Sequence, residues 1–338
     1  PKKNRVILED KSQFGYDSLL IATGASPKFP EIKGIKKNGV FGFRTIKDAK
    51  DIEGLLPVVK TVCVLGGGLI GLKCAYALKK RNVDVKVIIK SNQILSQMLD
   101  EQAARLLQQR LEASGMGLVL GQDAIEVIGE GDIKAVKLES GKVLGCSLLV
   151  VGKGVLPMAD IAKDTEIKIN DCIVSNDLLQ TNIPNIYVAG DVCESLDVTL
   201  GKTAVNALWP VAVEQGKIAG ANMAGGNIAY EGSLGMNSIE FFGLPVVSLG
   251  VYKLKDAQDF EEIVKSDAKQ NIYKKLILKN NCLIGAILMG DIKNSGILLR
   301  LIREKVNVVS IKARLLSENF SFADIKDLVK EKEKIYIS

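Results

Sequence analysis

The residues best suited to chemistry stand six in a row, Gly66-Gly67-Gly68-Leu69-Ile70-Gly71, with glycines at the first, third and sixth positions of a G-x-G-x-x-G pattern. An unbroken, β-branched apolar run at 61–65 precedes them and reads as a buried strand. A helical stretch, 69–80, follows, and a second strand, 83–89, closes a βαβ unit. In that context the pattern is a dinucleotide-binding turn. Gly66 permits the tight turn, Gly68 lets bare backbone reach a pyrophosphate, and Gly71 lets helix and strand pack closely. Leu69 and Ile70 open the helix, whose first N–H groups and positive dipole end face the phosphates.

The end of the second strand bears on which nucleotide is held. An acid there would bond a free ribose 2′-hydroxyl. Here Ile89 is followed by Lys90 and Ser91, so no carboxylate stands to repel a 2′-phosphate. That tilts the reading towards NADPH, with Lys90 either an attractor of the phosphate or a surface lysine.

Other chemistries are excluded by what the chain lacks. It has 338 residues and no histidine. Ser-His-Asp triads, Cys-His dyads, H-E-x-x-H zinc sites and histidine-held haem are therefore absent from it. The six cysteines are Cys63, Cys74, Cys146, Cys172, Cys193 and Cys282, with no C-x-x-C spacing. They read as buried apolar thiols in a reducing cytoplasm. No apolar run reaches the ~18 residues of a membrane span, and no secretory signal is visible. The net charge of +6 is not clustered enough for nucleic acid, and the run Lys330 to Lys334 reads as a solvated helix end.

These residues need elements to position them. At roughly 100–200 residues per domain the length suggests two or three domains. Residues 1–58 read as short strands and loops, including 5–8 and 16–22. After the βαβ unit, 100–114 reads as an amphipathic helix with Ala103, Leu106, Leu107 and Leu111 on one face. Three or four strands lead through 148–151, and another strand, 185–189, ends in Gly190-Asp191 before a helix at 211–223. Residues 232–338 read as a separate α+β domain, with strands near 237–251, 271–279 and 282–289 and helices near 293–304 and 321–331.

Three motifs in order carry a resemblance. They are Tyr16-Asp17-x-Leu19-Leu20-Ile21-Ala22-Thr23-Gly24-Ala25, the turn 66–71, and Thr181-x-x-Pro184-x-Ile186-Tyr187-Val188-Ala189-Gly190-Asp191. Segments 39–49 and 209–223 extend it. Residues 1–225 resemble the FAD-dependent pyridine nucleotide-disulfide oxidoreductases, most closely the NAD(P)H reductase branch with rubredoxin reductases and nitrite reductase flavoproteins. Residues 232–338 resemble that family's C-terminal domain more loosely.

The resemblance implies an α/β chain with two nested Rossmann-like nucleotide-binding domains, for FAD and NAD(P), plus a C-terminal α+β domain. Their boundaries would be 1–58 with 172–228 for FAD, 59–171 for NAD(P) and 232–338. It implies that Ala22, Thr23 and Gly24 pass close to the flavin nucleotide. Asp191, after Gly190, would bond a ribityl hydroxyl, and the helix after it would face the FAD pyrophosphate. Gly154 would let backbone approach the nicotinamide. Arg44 is either an FAD-side contact or a surface ion pair, and Trp209 either a flavin contact or a core residue.

Three departures qualify this resemblance. The family's FAD-binding G-x-G-x-x-G has no counterpart before Thr23, so the chain reads as N-terminally incomplete. Lys73 stands where the family usually has Glu, either as a charge facing reduced flavin or as a solvated helix residue. Gly152-Lys153-Gly154 and Leu156-Pro157 replace the usual Ala-x-Gly and Arg-Pro.

The implied function is hydride transfer from NAD(P)H to FAD and onward passage of electrons to a small rubredoxin- or ferredoxin-like protein or a linked reductase module. Single-electron transfer needs no imidazole acid, which fits the missing histidine. The other reading is a nucleotide-binding sensor or scaffold without flavin or turnover. The segment 232–338 carries 17 Lys+Arg against 13 Asp+Glu, a balance that either steers an acidic partner or is a plain solvated surface. Its apolar run 283–288 is core or a homodimer interface.

Overall fold

The structure, a computed structural model, describes residues 4–253 and 259–329. The chain divides into two compact units, 1–92 with 116–234, and 93–115 with 235–338.

In the first unit a five-stranded parallel sheet runs in the order Val40–Gly42, Leu148–Val151, Thr61–Leu65, Asp84–Ile89, Gly117–Leu120. A parallel sheet covered on both faces needs continuous apolar strands. Val62 to Leu65 and Leu148 to Val151 are all buried accordingly. The Leu69–Lys79 helix packs on this sheet. An antiparallel sheet of Ala124–Ile128, Ala135–Leu138 and Val143–Gly145 supplies Val127, Val136 and Leu138 to a core shared with Cys63, Leu65, Ile88 and Leu149.

A second core in the same unit forms where Leu19–Ile21 pairs in parallel with Ile186–Val188. Ile21, Ile186 and Val188 meet Ile218 and Ala219 from the Trp209–Met223 helix. Two short strands, Ala25–Pro27 and Val155–Pro157, pair antiparallel and join this region to the end of Leu148–Val151. The helix expected at 211–223 runs from Trp209 to Met223, and Cys193–Asp197 and Lys202–Ala204 stand between it and Asp191 as a strand pair.

The second unit is an antiparallel sheet in the order Met236–Phe241, Leu244–Gly250, Cys282–Met289, Ile272–Lys279, Phe260–Asp267. The Ser295–Arg303 helix packs on it. The Glu101–Ala113 helix belongs to this unit too. Asp100 caps that helix by accepting from the Ala103 N–H at 3.0 Å, and its other oxygen accepts from the Tyr273 hydroxyl at 2.6 Å. Burial and this carboxylate together push the Tyr273 phenol up. Lys275 completes the cluster, 3.3 Å from Asp100 and 2.7 Å from Glu262.

The sequence reading of this unit omits one strand and misassigns one helix. The omitted strand, Phe260–Asp267, lies at the sheet edge, mostly exposed and, among the described residues, paired on one side only, so its sequence shows no apolar alternation. The helix expected at 321–331 is instead a 3₁₀ turn, Phe322–Asp324, followed by turns to 329. Phe322, Ile325 and Leu328 recur at three residues per turn, and only Ile325 is buried, too narrow an apolar face to extend an α-helix. The charge run Lys330 to Lys334 lies outside the described residues.

Candidate functional site

Backbone built without side chains forms the first part of the site. Gly66 has φ +123°, and a Cβ there would lie 2.3 Å from the Gly152 carbonyl oxygen. A Cβ on Gly71 would lie 2.1 Å from the Gly66 carbonyl oxygen, and one on Gly152 would lie 2.7 Å from the Gly71 Cα. Three glycines from a turn, a helix and a strand end therefore touch backbone to backbone. Gly68 differs: it is the N-cap, no side chain caps the helix, and a Cβ there would meet nothing within 4 Å. The first helical turn, Leu69, Ile70 and Gly71, offers amides that have no intrahelical acceptor. Open space at Gly68 and an uncapped helix with no acid in its first turn fit a pyrophosphate.

Charged side chains line the next stretch. Lys90 is 72% exposed, and its Nζ lies 3.8 Å from Asp123 Oδ2. Lys153 Nζ donates to both oxygens of Asp123, at 2.7 and 2.6 Å. Lys153 stands between Gly152 and Gly154, the latter at φ +89° with open space at its Cβ position. The chain then runs alongside the Ala22-Thr23-Gly24 segment. The Lys28 N–H donates to the Gly154 carbonyl at 3.0 Å, the Met158 N–H to the Gly24 carbonyl at 2.8 Å, and the Thr23 hydroxyl to the Met158 carbonyl at 2.6 Å. Ala22 and Thr23 are exposed on this crossing.

At the end of Ile186–Val188, Gly190 takes φ +81°, and its N–H donates to Gln215 Oε1 at 2.8 Å. Arg44 Nη2 donates to Asp191 Oδ2 at 2.6 Å, with the side chains 37% and 14% exposed. Two residues expected separately at the site are thus paired. Glu194, on the strand that follows, accepts from the Thr203 hydroxyl at 2.7 Å and from Asn170 at 3.2 Å. Burial pushes its carboxyl up, and these bonds outweigh that, holding it below its ordinary range. Its Oε2 is buried with no hydrogen-bond partner.

Trp209 is 84% exposed at the first position of an uncapped helix, so it is no core residue. Lys73 is partly buried on the Leu69–Lys79 helix, with its ammonium 5.3 Å from the Tyr76 ring centre. The structure therefore gathers the named residues into three groups: 66–71 with 152, Lys90 through Gly154 to Thr23 and Gly24, and Arg44 with Asp191. Sequence reasoning missed Asp123, Gly152 as packing surface, and Gln215 as the holder of Gly190. Lys153 carried a signal in its flanking glycines; Asp123, thirty positions from Lys153, carried none. Among the described residues no helix is long and apolar enough to cross a membrane, and no group of three His, Cys, Asp or Glu could hold a metal ion.

Comparison with known proteins follows the same lines. Residues 1–216 match the pyridine nucleotide-disulphide oxidoreductases, and residues 236–306 match the rubredoxin NAD+ reductase C-terminal domain. An assimilatory nitrate reductase electron transfer subunit of Bacillus subtilis (strain 168) is 32% identical over 320 residues, 94% of this chain and 40% of that protein. An NADH oxidase of Methanocaldococcus jannaschii is 36% identical over 231 residues, 66% of this chain and 51% of that protein. The chain thus spans about half or less of the length of these relatives. The structure of an NAD-dependent persulfide reductase from A. fulgidus aligns with a TM-score of 0.84 at 25% identity, over 92% of this chain and 61% of that one. With the match running from the Thr23 segment through the glycine turn to Asp191 and beyond, the chain belongs to the pyridine nucleotide-disulphide oxidoreductase family, which binds FAD and NAD(P)H.

Proposed function

We propose that this chain handles NAD(P)H and FAD in a flavoprotein reductase that sends electrons to a small rubredoxin- or ferredoxin-like iron protein or to a linked reductase module. One observation carries the reading. A single segment, 152–158, packs its first glycine on the glycine turn and hydrogen-bonds its far end to Thr23 and Gly24. One segment therefore contacts both proposed nucleotide segments, which suits hydride transfer between two bound nucleotides.

Gly66, Gly68, Leu69, Ile70, Gly71, Lys90 and Gly154 would hold NAD(P)H. Ala22, Thr23, Gly24, Arg44, Gly190, Asp191 and Trp209 would hold FAD. In this reading 59–171 is the NAD(P) domain, nested in an FAD domain of 1–58 and 172–228. The chemistry that bound FAD would supply is two-electron acceptance from the reduced nicotinamide and one-electron donation onward. The protein's part is positional. Gly68 admits the pyrophosphate and the helix amides bind it. Arg44 fixes one oxygen of Asp191, which leaves the other to accept a ribityl hydroxyl. No residue of the chain is assigned a proton-transfer role.

The relatives, an assimilatory nitrate reductase electron transfer subunit and an NADH oxidase, support a redox role. The positive balance of 232–338 would favour an acidic partner, and six free thiols suit a reducing cytoplasm. The test is the visible spectrum of the purified chain mixed with FAD. A bound flavin band that NADH or NADPH bleaches without oxygen is expected. A chain that binds NAD(P)H and never retains flavin overturns the reading.

A further inference from the structure

We propose that Asp123 and Lys153 set which nicotinamide nucleotide this chain prefers: Lys153 neutralises Asp123, and Lys90 is thereby free to attract a 2′-phosphate. The proposal rests on the dinucleotide reading of the glycine turn.

Position is the first argument. The Gln122 N–H donates to the Ile89 carbonyl and the Gly121 N–H to the Ser91 carbonyl, both at 3.1 Å. Residues 121–123 therefore run alongside the strand end where a βαβ dinucleotide site reads the adenosine ribose. Asp123 supplies the acid that the sequence lacks at that strand end, from a separate segment of the chain.

Charge is the second argument. Asp123 is 8% exposed, and both its oxygens are occupied by the Lys153 ammonium at 2.6 and 2.7 Å. Lys90, at 3.8 Å and mostly exposed, makes only the longer contact. Together the three groups carry one net positive charge. Without the Lys153 ammonium, Asp123 would draw Lys90 onto itself, repel a phosphate dianion and gain a lone pair for a 2′-hydroxyl. Without the Asp123 charge, two cations would face the same position. The choice between nucleotides then depends on a residue, Lys153, that sits between two glycines on the opposite side of the central strand.

Calorimetric titration with 2′,5′-ADP and with 5′-AMP tests this without nicotinamide or flavin. Lys153→Met is expected to weaken 2′,5′-ADP about tenfold while 5′-AMP stays within about twofold. Asp123→Asn is expected to tighten 2′,5′-ADP about threefold, and Lys153→Arg to keep the wild-type ratio. Lys90→Met is expected to erase the difference between the two fragments. Equal shifts of both fragments in Lys153→Met, or an unchanged ratio in Asp123→Asn, would overturn the charge argument alone. A wild-type chain that binds neither fragment would overturn the dinucleotide reading itself.

Discussion

The turn at 66–71 and the strand end at 190–191 are the two segments proposed to face nucleotides, and they are built by opposite means. The first is made by subtraction: Gly66, Gly71 and Gly152 meet where any Cβ would strike backbone. The second is made by side chains. Gln215 reaches from the Trp209–Met223 helix to hold the Gly190 N–H and itself donates to the Ser195 hydroxyl at 3.0 Å, while Arg44 holds Asp191. One region should fail when an atom is added, the other when a group is taken away.

The largest effect should come from adding one methyl group to the first region. Gly71→Ala would force a Cβ against the Gly66 carbonyl and is expected to cost about 3 kcal/mol, read by urea unfolding. An unchanged midpoint would mean the helix can slide, and the contrast would fall. Next comes removal from the second region. Gln215→Leu strands a half-buried Gly190 N–H and should cost about 1–3 kcal/mol in the same assay.

Gly68→Ala sharpens the contrast, because it adds a methyl where the protein leaves room. Stability should move by less than about 0.5 kcal/mol, while NAD(P)H affinity in a fluorescence titration falls about tenfold. A loss of stability instead would make Gly68 a packing residue. The smallest effect is expected at Glu194. Its carboxyl is held below the ordinary value of 4.5, so the bonds it makes stabilise the fold above that pH. That contribution is lost as pH falls below 4.5 through the folded-state value. Glu194→Gln should flatten the acid limb of the stability profile below pH 4.5. An acid limb as steep as in the wild type would show that other groups govern it.

Much of the first region was legible in advance because its determinants are local. The glycine spacing, the apolar strand before it and the helix after it lie within thirty residues, and the structure places all of them as expected. In the second region Gly190 and Asp191 were legible as a motif, but their holders were not. Arg44 lies 147 positions from Asp191 and Gln215 lies 25 from Gly190. Trp209 was left between a flavin contact and a core residue, since a single aromatic at a helix start carries no periodicity to choose a face; its exposure removes the core reading.

The sequence by itself determined the βαβ turn, the order of the three family motifs and the lack of histidine in these 338 residues. Each of these follows from residue type and short-range spacing. Only the tertiary structure decided that Asp123 stands beside Lys90 with Lys153 across it, that Arg44 and Asp191 are paired, and that the helix at 101–113 belongs with the C-terminal sheet. Those outcomes depend on which distant surfaces share a desolvated space, where charges must find partners, and no local pattern encodes that.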